Sequence, residues 1–174
     1  LTRSVDHLLT PRYAAPGQIE GRPATTATDV HALGLLLFEL LTGERPFGVQ
    51  TTSALSLARE IVERQPERPS QLARGLRAHS AARDLDEICL KALRKNPEER
   101  YLSVVALADD IRRSLAGFPV EALAGARAYR ARKFVARHRL AIAAASLAFV
   151  GLATGLIVAL SQRERDLASL RVIG

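Results

Sequence analysis

The sequence contains no methionine and no tryptophan, and it has a single cysteine, Cys89. One cysteine excludes a disulfide framework within the chain. Cys89 shares a helical stripe with apolar neighbours, which predicts a packed thiol rather than a nucleophile. The four histidines lack metal-ligand spacing, and no strand-like alternation of apolar and polar residues occurs. Since the first residue is leucine, we expect the sequence to be part of a longer protein.

Acidic residues are absent from Ala122 to Gln162, and the net charge of +7 is concentrated there. The rest of the chain is nearly neutral, which disfavours a general nucleic-acid binder, so we expect no nucleic-acid partner. Six basic residues lie within thirteen positions of this segment: Arg127, Arg130, Arg132, Lys133, Arg137 and Arg139.

The segment Leu140–Leu160 contains 21 residues and no charge. At 1.5 Å per residue a helix of this length spans about 31 Å, close to the hydrocarbon thickness of a bilayer. A buried core helix is the alternative, but such a helix would need to be covered on every side. The preceding basic cluster predicts a single-pass cell-membrane protein whose N-terminal side is cytoplasmic, and it should attract anionic membrane lipid.

Two glycines within this segment, Gly151 and Gly155, have GxxxG spacing. The abundance of alanine and glycine in the segment favours chance as the explanation. The alternative is a helix-dimer face across the membrane.

The first 117 residues show helical patterns. A helix from Thr28 to Gly43 is predicted, with Thr28 as its N-terminal cap and Gly43 as its left-handed end. Its surface is almost entirely apolar, so we expect it to be buried nearly all round. The other predicted helices run from about Ser53 to Arg64, Asp84 to Lys95 (with capping-box spacing between Asp84 and Glu87) and Ser103 to Leu115.

Four motifs in order then become informative: "TPRYAAPGQ", "DVHALG", "LLTGERPF" and "LDEICLKALRKNPEERYLS". Together they resemble the C-terminal lobe of bacterial eukaryotic-like serine/threonine protein kinases, especially the membrane-anchored kind. The resemblance implies a mainly α fold without the N-terminal lobe. Together with the basic cluster and the uncharged segment, it divides the chain into a partial kinase domain (1–117), a basic juxtamembrane linker (118–139), a transmembrane helix (140–160) and a short tail (161–174).

The resemblance also assigns roles to single residues. Asp29 matches an aspartate that anchors the catalytic loop, and Gly34 matches a small residue that allows close helix packing. Arg100 matches an arginine that forms an ion pair with the glutamate of an Ala-Pro-Glu motif. Each of these residues, considered alone, could have an ordinary structural role in its own segment. Because the motifs occur in the same order as in the family, the family roles are favoured. Ser4 and Thr10 lie where activation-segment phosphorylation occurs, and Thr10 also matches a residue that aligns the catalytic loop with substrate. The implied substrate-binding loop consists of Thr10, Pro11, Arg12, Tyr13, Ala14, Ala15 and Pro16.

The chain departs from the family at Gly17, where the glutamate of Ala-Pro-Glu is expected. Arg100 would then lack its carboxylate partner. Three outcomes are open: Arg100 swings to solvent, Glu20 replaces the missing carboxylate, or the loop is disordered.

The motifs that hold nucleotide and metal in the family are absent from the sequence: the Gly-rich loop, the strand lysine, His-Arg-Asp and Asp-Phe-Gly. ATP and Mg²⁺ belong to the intact family, and we expect this chain to bind no cofactor and to be inactive alone. One interpretation is a fragment of a membrane-anchored serine/threonine kinase. The other is a non-catalytic, membrane-anchored, pseudokinase-like module that docks a protein substrate or a partner kinase.

Overall fold

The computed structural model describes residues 13–49, 53–77, 79 and 81–172, with side chains described as far as residue 155. The assignments made above to Ser4, Thr10, Pro11 and Arg12 lie outside these residues. Every regular element in the described part is helical, as the sequence patterns predict. The α-helices are α1 (Pro16–Ile19), α2 (Thr26–Thr42), α3 (Ala54–Glu63), α4 (Pro69–Leu72), α5 (Arg74–Arg77), α6 (Ala82–Ala92), α7 (Val104–Leu115), α8 (Arg127–Arg137) and α9 (Arg139–Val172), with 3₁₀ turns at Pro97–Glu99 and Glu121–Leu123.

The chain divides into two compact units, Leu1–Arg130 and Ala131–Gly174. Helix α6 is central to the first unit, where it packs against α2 and α7. Two apolar clusters form the core, one around Ile88 and Tyr101 and the other around Phe38 and Cys89. The Cys89 thiol is buried and donates to the Gly34 carbonyl oxygen at 3.6 Å, and burial raises its pKa to about 12. Cys89 is therefore a packed thiol, as predicted.

Helix α2 begins two residues before the predicted start. Thr25 is the N-cap, and its backbone N–H donates to the Thr28 hydroxyl at 3.0 Å. Thr28 was therefore wrongly assigned as the cap, because a second threonine stands three residues upstream. The C-terminal end is confirmed, since Gly43 has the left-handed φ of 74° that glycine adopts without steric cost.

The prediction that α2 is buried nearly all round is wrong. Val30, Leu35 and Phe38 are buried, but Leu36 is 43% exposed and Leu40 is 84% exposed. The exposed leucines follow helical spacing, so they form one continuous apolar face. No element among the described residues covers this face.

Helices α3 and α7 begin next to the predicted starts, and each has a serine cap. The Ser53 hydroxyl accepts from the Ser56 N–H, and the Ser103 hydroxyl accepts from the Ala106 N–H, each at 3.1 Å. The capping box predicted for α6 is wrong, because this helix already begins at Ala82 and encloses Asp84 in its buried first turn.

The predicted span Leu140–Leu160 lies within helix α9. As far as the described side chains extend, to Gly155, no single helix has by itself the length and hydropathy of a membrane crossing. Helix α8 and residues Arg139–Gly155 satisfy these criteria only as a pair, and the two are bent by 81° at the break between them.

Candidate functional site

The described part of the predicted substrate loop begins at Tyr13 and leads into α1. Ala15 has an extended backbone, and Pro16 occupies the first helical position, where a missing N–H costs nothing. The Gln18 side-chain oxygen accepts from the Ala15 N–H at 3.0 Å, which closes the turn. Ala14, Ala15 and Pro16 are buried. From Tyr13 onward the loop therefore packs into the first compact unit through buried small residues and a closed turn.

Tyr13 connects this loop to helix α2. Its hydroxyl donates to Glu39 Oε2 at 3.2 Å, and Arg45 Nε donates to the other oxygen, Glu39 Oε1, at 3.2 Å. Sequence reasoning named Tyr13 but missed Glu39 and Arg45. The sequence offered one indication of this ion pair, namely that the arginine of "LLTGERPF" follows Glu39 by six residues, just beyond the end of the helix.

Arg100 is 4% exposed, so it does not swing to solvent. Its guanidinium donates to three backbone carbonyls: Nε to Arg94 at 2.7 Å, Nη1 to Ala27 at 2.8 Å and Nη2 to Lys95 at 3.0 Å. The Arg94 and Lys95 carbonyls follow the C-terminal end of α6, whereas Ala27 lies in the first turn of α2. Arg100 therefore joins the ends of two helices.

The carboxylate expected beside Arg100 is replaced by these carbonyls. Glu20 pairs with Arg22 at 2.9 Å, so it does not replace the glutamate lost at position 17. Within the described residues, Arg100 forms no ion pair. Backbone carbonyls at a helix C-terminus carry partial negative charge, which makes them suitable partners for a buried cation.

His31 lies in α2 and is fully buried, and neither ring nitrogen has a hydrogen-bond partner within the described structure. Burial, with smaller contributions from the positive charges of Arg100 and Lys95, lowers the pKa of His31 to about 3. Lys95 donates to the Ile61 carbonyl at 2.6 Å, and its pKa is lowered to about 8, chiefly by burial. Sequence reasoning missed this cluster because His31 and these cations lie more than sixty positions apart.

Gly34 and Asp29 lie on different faces of α2. A Cβ atom at Gly34 would lie 2.9 Å from the Ala92 Cβ and 3.1 Å from Leu93 Cδ2, so only glycine permits this approach to α6. Asp29 is exposed. Its helical spacing places it on the same face as Leu33, Leu36 and Leu40. The catalytic loop that such an aspartate anchors in the family is not part of the sequence.

No group of three or more histidine, cysteine, aspartate or glutamate side chains could hold a metal ion among the residues that the structure describes. An open groove of about 600 Å³ lies between Phe38, Arg45, Glu60 and Arg64. Side chains of both charge signs line it, so its charge does not single out one class of ligand.

Gly17 provides a test of the pairing that the family implies. Its φ is not positive, and an added Cβ would meet only Arg22, at 3.6 Å, so neither backbone nor space requires glycine. We predict that Gly17→Glu raises the free energy of unfolding by about 1–3 kcal/mol, through better helix propensity and a charge-assisted hydrogen bond to Arg100. Chemical denaturation of the single variants and the double variant with Arg100→Ala measures the coupling.

The control for this cycle is Gly17→Gln, which has the same helix propensity without the charge. The glutamate should couple to Arg100 more strongly than the glutamine by about 1 kcal/mol or more. Equal coupling for the two variants would show that position 17 does not face Arg100.

Comparison with known proteins identifies similar sequences. The family model described as "Protein kinase domain" matches residues 2–110. The chain is 38% identical over 122 residues to serine/threonine-protein kinase PknB of Mycobacterium leprae and of Mycobacterium tuberculosis, which covers 70% of this chain and 18% of each relative. It is 40% identical over 100 residues to serine/threonine-protein kinase PkaA of Streptomyces coelicolor, which covers 58% of this chain and 16% of that relative. The chain thus spans less than a fifth of the length of these relatives.

Proposed function

Because this chain belongs to the protein kinase domain family, we propose that it supplies the substrate-binding and scaffolding half of a membrane-anchored serine/threonine kinase. The kinase would catalyse ATP-dependent phosphorylation of protein serine and threonine. One observation carries this proposal: the family match extends over residues 2–110, most of the first compact unit. The resemblance to bacterial eukaryotic-like serine/threonine kinases stated from the sequence is thereby confirmed.

Within this function, the ordered loop at Tyr13–Pro16 would receive the substrate peptide. The Tyr13 hydroxyl donates a hydrogen bond to the Glu39 carboxylate, and the next two residues of the loop, Ala14 and Ala15, are buried. These contacts position the loop on the first compact unit. Arg100 would act at a distance by keeping the first turn of α2 against the end of α6. Ser4 and Thr10 remain proposed sites of phosphorylation in trans by an intact relative.

The residues present do not fit ATP or Mg²⁺. Phosphoryl transfer depends on groups that position the nucleotide and neutralise the charge of the transferring group. The sequence lacks the motifs that supply those groups, and the described side chains include no metal-binding set. Nucleotide and metal would therefore be held by residues outside this chain.

We predict that residues 1–174, purified in detergent, transfer no phosphate from Mg²⁺-ATP to a generic protein substrate. A chimera in which the preceding kinase segment of PknB is joined to Leu1 should transfer phosphate, because it restores the nucleotide and metal groups. Transfer of labelled phosphate to a basic substrate protein is the measurement. Turnover by residues 1–174 above a mock purification would contradict the first expectation.

The alternative function is a non-catalytic, pseudokinase-like module that docks a protein substrate or a partner kinase. Gly17 favours this alternative, because the glutamate expected there is missing. A chimera that melts cooperatively and binds ATP but transfers no phosphate would support the docking module over the kinase.

We further propose that α9 anchors the protein in the cell membrane. The proposal is supported by the uncharged run Leu140–Leu160 and by large apolar side chains exposed around α9, including Leu140, Leu147 and Phe149. The open space beside Gly151 and Gly155 is compatible with the proposed helix-dimer face.

The topology prediction follows from the charges beside this run. We expect the residues before Leu140 to face the cytoplasm, because the six basic residues precede the span directly. A reporter fused after Gly174, active only outside the cytoplasm, should be active in the unmodified chain. Neutralising all six basic residues should give mixed orientation. A cytoplasmic reading for the unmodified chain would rule out this topology.

A further inference from the structure

Helix α8 carries an exposed apolar stripe within its basic sequence. Ala131, Phe134 and Val135 lie at positions i, i+3 and i+4, so they share one face of the helix. Phe134 is 59% exposed and Val135 is 51% exposed. Two large apolar side chains exposed side by side form a patch that gains free energy when another apolar phase covers it.

Basic side chains flank this stripe on both edges. Arg130 lies on one edge and Arg132 on the other, and both are exposed. No acidic residue stands within α8 or near it in sequence. An apolar stripe flanked by arginines is the pattern of a helix that lies in the plane of a membrane interface, with its apolar face in the acyl boundary and its charges among the lipid phosphates.

Tyr129 lies in the first turn of α8 and belongs to the first compact unit. The Tyr129 side chain is buried, and its hydroxyl accepts from the Val120 N–H at 3.2 Å. Tyr129 lies two residues from Ala131 and therefore on another side of the helix from the stripe. The buried side of α8 at Tyr129 is therefore not the side that carries Phe134 and Val135.

The geometry at the end of α8 fits the same arrangement. His138 stands at the break before α9, and its ring lies 4.5 Å from the ring of Phe134. At this break the helix axis turns by 81° into the uncharged run. An interfacial helix lies in the membrane plane and a spanning helix tilts by about 20° on average from the membrane normal, so a bend near a right angle suits both.

We propose that α8 is an interfacial anchor for anionic phospholipid, in which Phe134 and Val135 insert into the acyl boundary while Arg130 and Arg132 contact lipid phosphates. The occupant of the stripe is the membrane surface, as the charge and the continuity with α9 both indicate. This inference rests on the proposed membrane anchoring by α9. The proposal adds a second membrane contact, made by α8 lying parallel to the membrane surface just before the spanning segment.

The absence of tryptophan from the sequence makes a direct test feasible, because each single-tryptophan variant carries one clean reporter. Three variants of the full chain are reconstituted into vesicles: Phe134→Trp on the stripe, Ala136→Trp on the other side of α8, and Phe149→Trp in α9. The vesicles contain either phosphatidylcholine alone or an equal mixture with phosphatidylglycerol, with and without brominated acyl chains that quench tryptophan on contact.

In the mixed vesicles, brominated lipid should quench Phe134→Trp at least about threefold more than Ala136→Trp, since only the stripe enters the acyl boundary. Phe149→Trp should be quenched in both lipid compositions. Adding Arg130→Gln and Arg132→Gln to Phe134→Trp should reduce quenching in the mixed vesicles to the level seen in phosphatidylcholine alone. Far-UV circular dichroism checks that the total helix content is the same in each variant.

The outcomes separate this inference from the anchoring proposal beneath it. Strong quenching of Phe149→Trp with equal quenching at positions 134 and 136 would overturn the interfacial helix and leave the anchor standing. Weak quenching of Phe149→Trp would overturn the anchor itself. A blue shift of Phe134→Trp that requires a high protein-to-lipid ratio and resists brominated lipid would assign the stripe to a second copy of the chain and overturn the proposal.

Discussion

Replacing Arg100 with alanine is expected to lower the free energy of unfolding by about 3–5 kcal/mol, because three partly buried hydrogen bonds to backbone carbonyls would be lost at once. The guanidinium spans the Arg94, Lys95 and Ala27 carbonyls, which no single neutral side chain can reach together. The variant also removes a side chain that joins the end of α6 to the first turn of α2. We therefore expect this substitution to be among the most damaging in the chain.

The measurement is denaturant unfolding of residues 1–174 followed by near-UV circular dichroism. The three tyrosines all lie in the first compact unit, so their signal reports on that unit and not on α9. Arg94→Ala is the matched control, because Arg94 forms an exposed ion pair with Glu99 at 2.8 Å and its loss should cost less than about 1 kcal/mol. Equal losses for Arg94→Ala and Arg100→Ala would contradict the proposed role of Arg100.

Arg100→Lys distinguishes charge from geometry. Lysine keeps the positive charge but lacks the planar fork that reaches several acceptors. We expect this variant to recover less than half of the stability lost in Arg100→Ala. Full recovery would mean that charge alone stabilises the junction between α2 and α6.

Acid should destabilise the first compact unit through His31. The pKa of this residue is lowered from 6.5 to about 3 in the folded chain by burial and by the charges of Arg100 and Lys95. Because the folded pKa lies below the unfolded one, the contribution to stability is complete above pH 6.5 and is lost as pH falls toward 3. The loss should approach about 1.4 kcal/mol per pH unit, or about 2–3 kcal/mol at pH 4.5.

The control for this pH dependence is His31→Phe, which removes the titrating group while keeping an aromatic ring. The comparison uses the slope of stability between pH 6.5 and 5, so a constant loss from imperfect packing does not affect it. Lys95 does not contribute in this range, because its pKa of about 8 leaves it protonated throughout. The same slope in both proteins would show that His31 does not govern the acid sensitivity.

Helix ends governed by near neighbours were predictable from the sequence. Ser53 and Ser103 accept from backbone N–H groups three residues away, and Gly43 takes the left-handed conformation at its own position. Such interactions are complete within one turn of helix, so a short window of sequence contains everything that decides them. The same holds for the uncharged run Leu140–Leu160, whose length and composition can be counted directly.

The partners of buried polar groups were not predictable in this way. Asp110 accepts from the Tyr101 hydroxyl at 2.7 Å and from the Ala122 N–H at 2.9 Å, across a turn that sequence spacing does not reveal. The N-terminal end of α6 was misplaced for a related reason. Asp84 is buried within the first turn of that helix, whereas the sequence pattern placed it at an exposed cap.

The sequence by itself determined the helical class, the family, the approximate starts of α3 and α7 and the separation of a basic segment from an uncharged one, because each depends on residue type and short spacing. Only the tertiary structure decided that Arg100 binds carbonyls instead of Glu20, that His31 lies buried beside two cations, that one apolar face of α2 is uncovered, and that α8 turns sharply into α9. These features depend on which distant segments pack together. A buried charged side chain forms hydrogen bonds with the acceptors that tertiary packing places near it. The distance between such a side chain and its acceptors cannot be read from residue spacing along the chain.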